Sequence, residues 1–252
     1  MIKGKDAVAG AYDEGMEPGG SMTHSVLQVG DSLSNGDSIV IGHVPSMAWG
    51  GWLAFANGWS FTRHSVTGRT SAQVADDLLP RAGFGFTVGC FTAGANDVAG
   101  RTWDSAVTEE NLRVIWKGMS DRCEHVLALR LPDSYFRLPS VPASVYRRTA
   151  EVNQMMEGFA DEFGGSLVNI NDFRGARYVR PDQVHFTSVG DLAIASRAAG
   201  ILTRRGLTTT DPATLGLGDP VSPISPARQV AFATGFARQT AKQTAKRLLG
   251  RF

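Results

Sequence analysis

The chain has 252 residues, 42% of them hydrophobic and 19% charged, with a formal net charge of +1. That length suits one large core with an appendage, and the composition is ordinary for a globular enzyme. No apolar run approaches the roughly 18 residues that a membrane-spanning helix needs, and a chain so near neutral overall has no bulk attraction for nucleic acid.

Residues 1–23 are polar and Gly-rich, with Asp13, Glu14 and Glu17. They lack the apolar middle of a secretory signal, so the expectation is an N-terminal extension on a cytoplasmic protein. Apolar runs typical of buried strands then recur at residues 25–29, 84–91, 126–131 and 167–170, with a weaker one at 59–64. Between them, residues 46–56, 71–79, 105–122, 143–163 and 188–204 carry helical spacing or cap-like starts. Strands alternating with helical crossovers predict a parallel sheet covered on both faces, with a core domain over residues 24–206. In such sheets ligands bind outside the carboxyl ends of the strands.

After Gly206 the composition turns to Thr, Pro and Gly, which predicts a linker over residues 207–226. Residues 227–252 hold six basic side chains and no acidic one, so the remainder of this +1 chain carries a net −5. Val230, Ala241, Ala245, Leu248 and Phe252 share one side at helical spacing, which predicts a basic amphipathic C-terminal helix. Such a helix suits peripheral contact with an anionic membrane, or docking on the acidic body or on a second subunit. The two cysteines, Cys90 and Cys123, have no metal-binding spacing and are expected to be reduced structural thiols.

Three short strings follow the apolar runs. Gly30-Asp31-Ser32-Leu33-Ser34 puts a hydroxyl on a tight turn directly after the first strand. Thr92-Ala93-Gly94-Ala95-Asn96-Asp97 puts an amide at the same sheet edge. Asp182-Gln183-Val184-His185-Phe186 places a carboxylate three residues ahead of an imidazole, just before the last core helix. A carboxylate so placed can fix the imidazole tautomer and leave the other ring nitrogen to take a proton from a serine. Each string taken singly also suits a structural role: a turn for Ser32 and Asn96, a helix cap for Asp182 and His185.

Together the strings resemble the SGNH or GDSL hydrolase superfamily, whose blocks run Gly-Asp-Ser-Leu, a lone Gly, Gly-x-Asn-Asp and Asp-x-x-His in that order. The lone glycine is matched by Gly68, within His64-Ser65-Val66-Thr67-Gly68-Arg69-Thr70-Ser71. The resemblance implies a three-layer α/β/α fold with a mostly five-stranded, flavodoxin-like parallel sheet. It implies Ser32 as nucleophile, His185 as base and Asp182 as its orienting acid. An oxyanion hole would come from the Ser32 and Gly68 backbone amides and the Asn96 side chain. The implied activity is hydrolysis of a small-molecule or lipid ester through an acyl-enzyme, without cofactor or metal. An acyltransferase using the same acyl-enzyme and a non-catalytic binding module are the alternatives.

Trp103 and Phe186, close in sequence to Asn96 and His185, are the expected pocket residues. The ring-rich segment from Trp49 to Phe55 suits either a pocket wall or the core. His24, His43, His64 and His125 have no acid three residues ahead of them and are assigned no catalytic part. No Gly-x-Ser-x-Gly elbow, phosphate loop or His-Glu-x-x-His motif is present, and the glycines of Gly83 to Gly89 do not fit a dinucleotide fingerprint.

Overall fold

A computed structural model describes residues 24–132, 141–216 and 224–248. The expected N-terminal extension lies outside the described residues. Five parallel strands, β1 (Ser25–Gly30), β2 (Ser60–Ser65), β3 (Phe86–Thr92), β4 (Cys123–Leu129) and β5 (Ser166–Val168), pair in the order β2-β1-β3-β4-β5. The central strands β1 and β3 are buried at every position but the first. They therefore read as continuous apolar runs, as a sheet covered on both faces requires. β2 has no fully buried residue. It is an edge strand, which is why Ser60-Phe61-Thr62-Arg63-His64-Ser65 gives the weakest strand signal in the sequence.

The helices are α1 (Trp49–Asn57), α2 (Ser71–Gln73), α3 (Ala95–Ala99), α4 (Ser105–Ser120), α5 (Ala143–Glu162), α6 (Gly175–Tyr178), α7 (Ser188–Arg204) and α8 (Pro226–Leu248). α2 continues through a π turn at Val74–Leu78 and a 3-10 turn at Leu79–Arg81. α1 and α7 pack together on one face of the sheet, while α2, α4 and α5 form a contiguous layer on the other. This is the expected three-layer arrangement. Side-chain caps begin several of these helices: Thr70 and Gln73 form a capping box on α2, Asp104 accepts from Val107 N, and Thr187 accepts from Gly190 N. α3 and α6, five and four residues long, are too short to show a hydrophobic period and are absent from the sequence-based expectation.

Trp49 and Trp52 are fully buried in the core, which decides between the two roles open to that segment. On the opposite layer Trp116 meets Phe91 edge-on at 5.0 Å and donates its Nε1 hydrogen toward Met156 Sδ at 3.3 Å.

The segment expected to be a linker begins as part of the body. Asn57 and Thr210 exchange two hydrogen bonds, Pro212 is buried, and the 3-10 turn Pro212–Leu215 lies against α1 and α7. In α8 the described residues of the apolar side read from the sequence face outward. Val230 is 65% exposed and Ala241 and Ala245 are exposed, whereas Phe232 packs against the core and Gly235, Phe236 and Gln239 are half-buried. A phenylalanine ring offers far more apolar area to bury than an alanine methyl group, so Phe232 directs the helix inward. Phe252 and the side chain of Leu248 lie outside the described residues.

Candidate active site

The chain leaves β1 through Gly30, at φ +148°. A Cβ there would lie 2.3 Å from the Thr92 carbonyl oxygen, so the close approach of β1 to β3 at its end admits only glycine. The next residue, Asp31, caps the 3-10 turn Ser32–Ser34 by accepting from Leu33 N at 3.0 Å. Ser34 Oγ and Thr92 Oγ1 lie 2.5 Å apart and tie the turn to β3. Ser32 is thereby left half-buried at the carboxyl edge of the sheet.

A tight loop between α6 and α7 carries the acid and the imidazole. Val179 and Phe186 form an isolated bridge, Arg180 N donates to the His185 carbonyl at 2.7 Å, and Gln183 N donates to the Arg180 carbonyl at 2.9 Å. Asp182 Oδ1 accepts from Val184 N at 3.0 Å and His185 N at 2.9 Å. Its Oδ2 lies 3.1 Å from His185 Nδ1, and His185 Nε2 lies 2.9 Å from Ser32 Oγ. With the carboxylate at Nδ1, the Nδ1–H tautomer directs the Nε2 lone pair at the hydroxyl. Burial pushes the Asp182 carboxyl up, but the hydrogen bond and charge of His185 and the two loop amides outweigh it and hold the pKa below the usual value. Gln183, at φ +61°, is the single non-glycine residue with positive φ among the described residues. Such a backbone costs about 1–2 kcal/mol, so the surrounding bonds hold the loop under strain.

Asn96 connects the remaining parts. It lies in α3, which starts at Gly94 with φ +96°. Its Nδ2 donates to the Arg69 carbonyl at 2.9 Å and, in a long contact of 3.5 Å, to Asp31 Oδ2. Asp97 clamps the same neighbour, accepting from Ser71 N at 2.8 Å and Ser71 Oγ at 2.7 Å. Gly68, exposed at φ +82°, sits in the loop so held. The segments carrying Ser32, Gly68 and Asn96 are thus joined by direct bonds. Burial raises the Asp31 pKa to about 6 against the opposing effects of Leu33 N, Thr92 and His185.

A small depression beside Ser32 and His185 is lined by Leu33, Gly36, Asp37, Ser38, Phe186 and Asp191. Phe186 is only 3% exposed and its ring stands edge-on to Phe173 at 6.4 Å, so it serves chiefly as packing beneath the loop. Trp103 does not line the depression; its ring lies under the Arg148 guanidinium at 5.7 Å. His24 bonds Thr87 at the amino end of the sheet, remote from Ser32. Among the described residues no cluster of His, Cys, Asp or Glu is fit to hold a metal ion, and no helix is long and apolar enough to cross a membrane. Sequence patterns gave no role to Asp31 or Asp97 beyond their place in motifs, and no signal at all for Asp191. The buried Asp191 accepts from Ser38 Oγ at 2.6 Å and so pins the loop after Ser32 onto α7.

A model of the GDSL-like Lipase/Acylhydrolase family matches residues 29–192. Among solved structures, a lipolytic protein of the G-D-S-L family from Veillonella parvula is similar at 17% identity and TM-score 0.56, over 72% of this chain and 100% of that one. Phospholipase A1 from Streptomyces albidoflavus is similar at 14% identity and TM-score 0.54, over 72% and 99%. The acetylxylan esterase Axe2 from Geobacillus stearothermophilus, as a catalytic mutant, is similar at 13% identity and TM-score 0.52, over 70% and 93%. No curated protein matches the chain. At identities this low the likeness shows the fold alone.

Burial pushes the Asp191 carboxyl up to about 8; the Ser38 hydrogen bond opposes the rise and the nearby Asp37 adds to it. The unfolded chain releases that proton near 3.8, so the folded form binds more protons between these two values and stability falls as pH rises through that window. The slope from one such group is at most about 1.4 kcal/mol per pH unit. Asp191→Asn keeps an acceptor for Ser38 and removes the titration. Its urea midpoint is expected to fall less than that of the wild type between about pH 5 and pH 8; parallel profiles would show that Asp191 does not carry the proton.

Proposed function

The chain belongs to the GDSL-like lipase/acylhydrolase family and is a carboxylic ester hydrolase, and from that premise we propose that it works through an acyl-enzyme on Ser32. The observation that carries this is the continuous line from Asp182 Oδ2 to His185 Nδ1 at 3.1 Å and from His185 Nε2 to Ser32 Oγ at 2.9 Å. Ser32 Oγ attacks the ester carbonyl carbon as His185 Nε2 takes its proton. Asp182 holds the Nδ1–H tautomer and stabilises the imidazolium that forms. When the tetrahedral intermediate collapses, the C–O bond to the alcohol breaks and His185 gives its proton to the leaving oxygen. Water then attacks the acyl carbon, again losing a proton to Nε2, and that proton returns to Ser32 Oγ as the acid departs.

The negative oxygen of each intermediate needs donors already in place. The Ser32 and Gly68 backbone amides and Asn96 Nδ2 take this role. Asn96 shares its two hydrogens between the Arg69 carbonyl and the longer contact to Asp31. The 3.5 Å contact is the weaker, so its hydrogen is the one released to an oxyanion.

The outward face of α8 presents Val230, Arg238 and Lys242. We further propose that this face touches anionic lipid surfaces, which would bring the enzyme to acyl lipids.

Treatment with a fluorophosphonate probe followed by peptide mapping is expected to give one adduct, on Ser32, lost in Ser32→Ala and slowed in His185→Ala. An unlabelled folded protein would favour a binding module over an enzyme. Asn96→Ala is expected to lower kcat about 100- to 1000-fold, with KM for a chromogenic acetyl ester little changed. For the tail, Arg238→Glu combined with Lys242→Glu is expected to weaken co-sedimentation with phosphatidylserine vesicles at low salt; equal binding by the variant would remove the membrane proposal.

A further inference from the structure

The matched family region ends at residue 192, so α8 lies outside it, yet α8 reaches the loop that carries Asp182 and His185. A Cβ added at Gly235 would lie 2.8 Å from Pro181 Cγ and 2.9 Å from Pro181 Cβ. Pro181 immediately precedes Asp182. α8 also contacts α6, the helix that leads into this loop, and Phe232 anchors α8 on the core. The proline ring is fixed to its own backbone, so pressure on it reaches the main chain at Asp182 and is not absorbed by a rotamer change. The loop itself is strained at Gln183, between the acid and the imidazole. Strained backbone of this kind persists only where its surroundings over-determine it.

A glycine inside a helix costs about 1 kcal/mol relative to alanine. Gly235 carries that cost within the 23-residue helix α8, and the close approach to Pro181 gives the reason. We propose that α8 is a strut for the acid–base loop: the bare backbone at Gly235, set against Pro181, holds Asp182 and His185 in the position where they meet Ser32. Gly235 and Pro181 are positioning residues, acting through the loop without touching substrate. The inference rests on the catalytic roles proposed above for Asp182 and His185.

The test uses the full chain with Gly235→Ala, Pro181→Ala, the double variant, and Ala233→Gln on the exposed side of the same helix as control. Helix propensity alone makes Gly235→Ala neutral or stabilising, whereas the strut makes it lower kcat about tenfold with KM unchanged, since small misplacements of catalytic groups cost rate. Adding Pro181→Ala is expected to restore most of that loss by making room for the new methyl group, and Ala233→Gln is expected to match the wild type. Wild-type turnover in Gly235→Ala, or an equal loss from it in the Pro181→Ala background, would overturn the strut. If wild type neither hydrolyses esters nor labels at Ser32, the catalytic reading fails separately. The strut is then read from the downfield proton resonance of His185 Nδ1–H, expected to shift or broaden in Gly235→Ala and to recover in the double variant. An unchanged resonance would overturn it.

Discussion

One buried carboxylate, Asp31, ties together the carboxyl edge of the sheet. It accepts from Leu33 N, which shapes the turn bearing Ser32, from Thr92 Oγ1 at the end of β3, and from Asn96 Nδ2 on α3. Asn96 in turn reaches the Arg69 carbonyl and so the loop that carries Gly68. Three chain segments far apart in sequence are held within hydrogen-bond reach of one another by a group with no exposed surface. Burial of the carboxyl is costly, as its raised pKa shows, and its three donors are what offset that cost. The motif residue beside the serine therefore organises the site.

The imidazole is supplied by a different kind of construction. The loop from Val179 to Phe186 closes on itself through backbone bonds, and Asp182 spends one oxygen on two loop amides and the other on the ring. The left-handed Gln183 lets the acid and the imidazole face each other within four residues. That geometry is local, so the sequence interval Asp-x-x-His carries most of it. Its placement against Ser32, 153 positions away, is not local. It depends on α7, on the Ser38–Asp191 bond that pins the intervening loop, and on the packing beneath Phe186.

Several features were legible before any coordinates. The strand runs and the starts of α2 and α7 are short-range patterns, and each emerges where burial on both sheet faces or a free helix end demands it, although the capping side chains are Thr70 and Thr187, one residue ahead of the expected starts. Less was legible wherever one residue type suits two environments. Trp49 and Trp52 suit a pocket or a core, and only the packing of α1 on β1 and α7 decides for the core. Trp103 is adjacent to the motif segment in sequence yet stacks under Arg148, because proximity along a chain does not fix the direction of a side chain. Which side of α8 docks was likewise not legible. A helical wheel sorts residues by polarity, whereas the docked face, with Phe232 and Gly235, is chosen by whatever surface the body presents.

By itself the sequence determined where the motif residues lie: a serine after the first strand, an amide after the third, and an acid–imidazole pair before the last core helix, all at one edge of a parallel sheet. Those positions rest on local spacing and on strand polarity, which one chain records directly, whereas the roles expected of them came from the resemblance to the GDSL family. Only the tertiary structure decided that Asp31 and Asp97 are the ties between motifs, that Asp191 is buried against the loop after Ser32, and that Gly235 of the tail bears on Pro181. Each of these is a contact between segments distant in sequence, set by how α/β layers close over one another, and no local pattern encodes which distant residue will arrive.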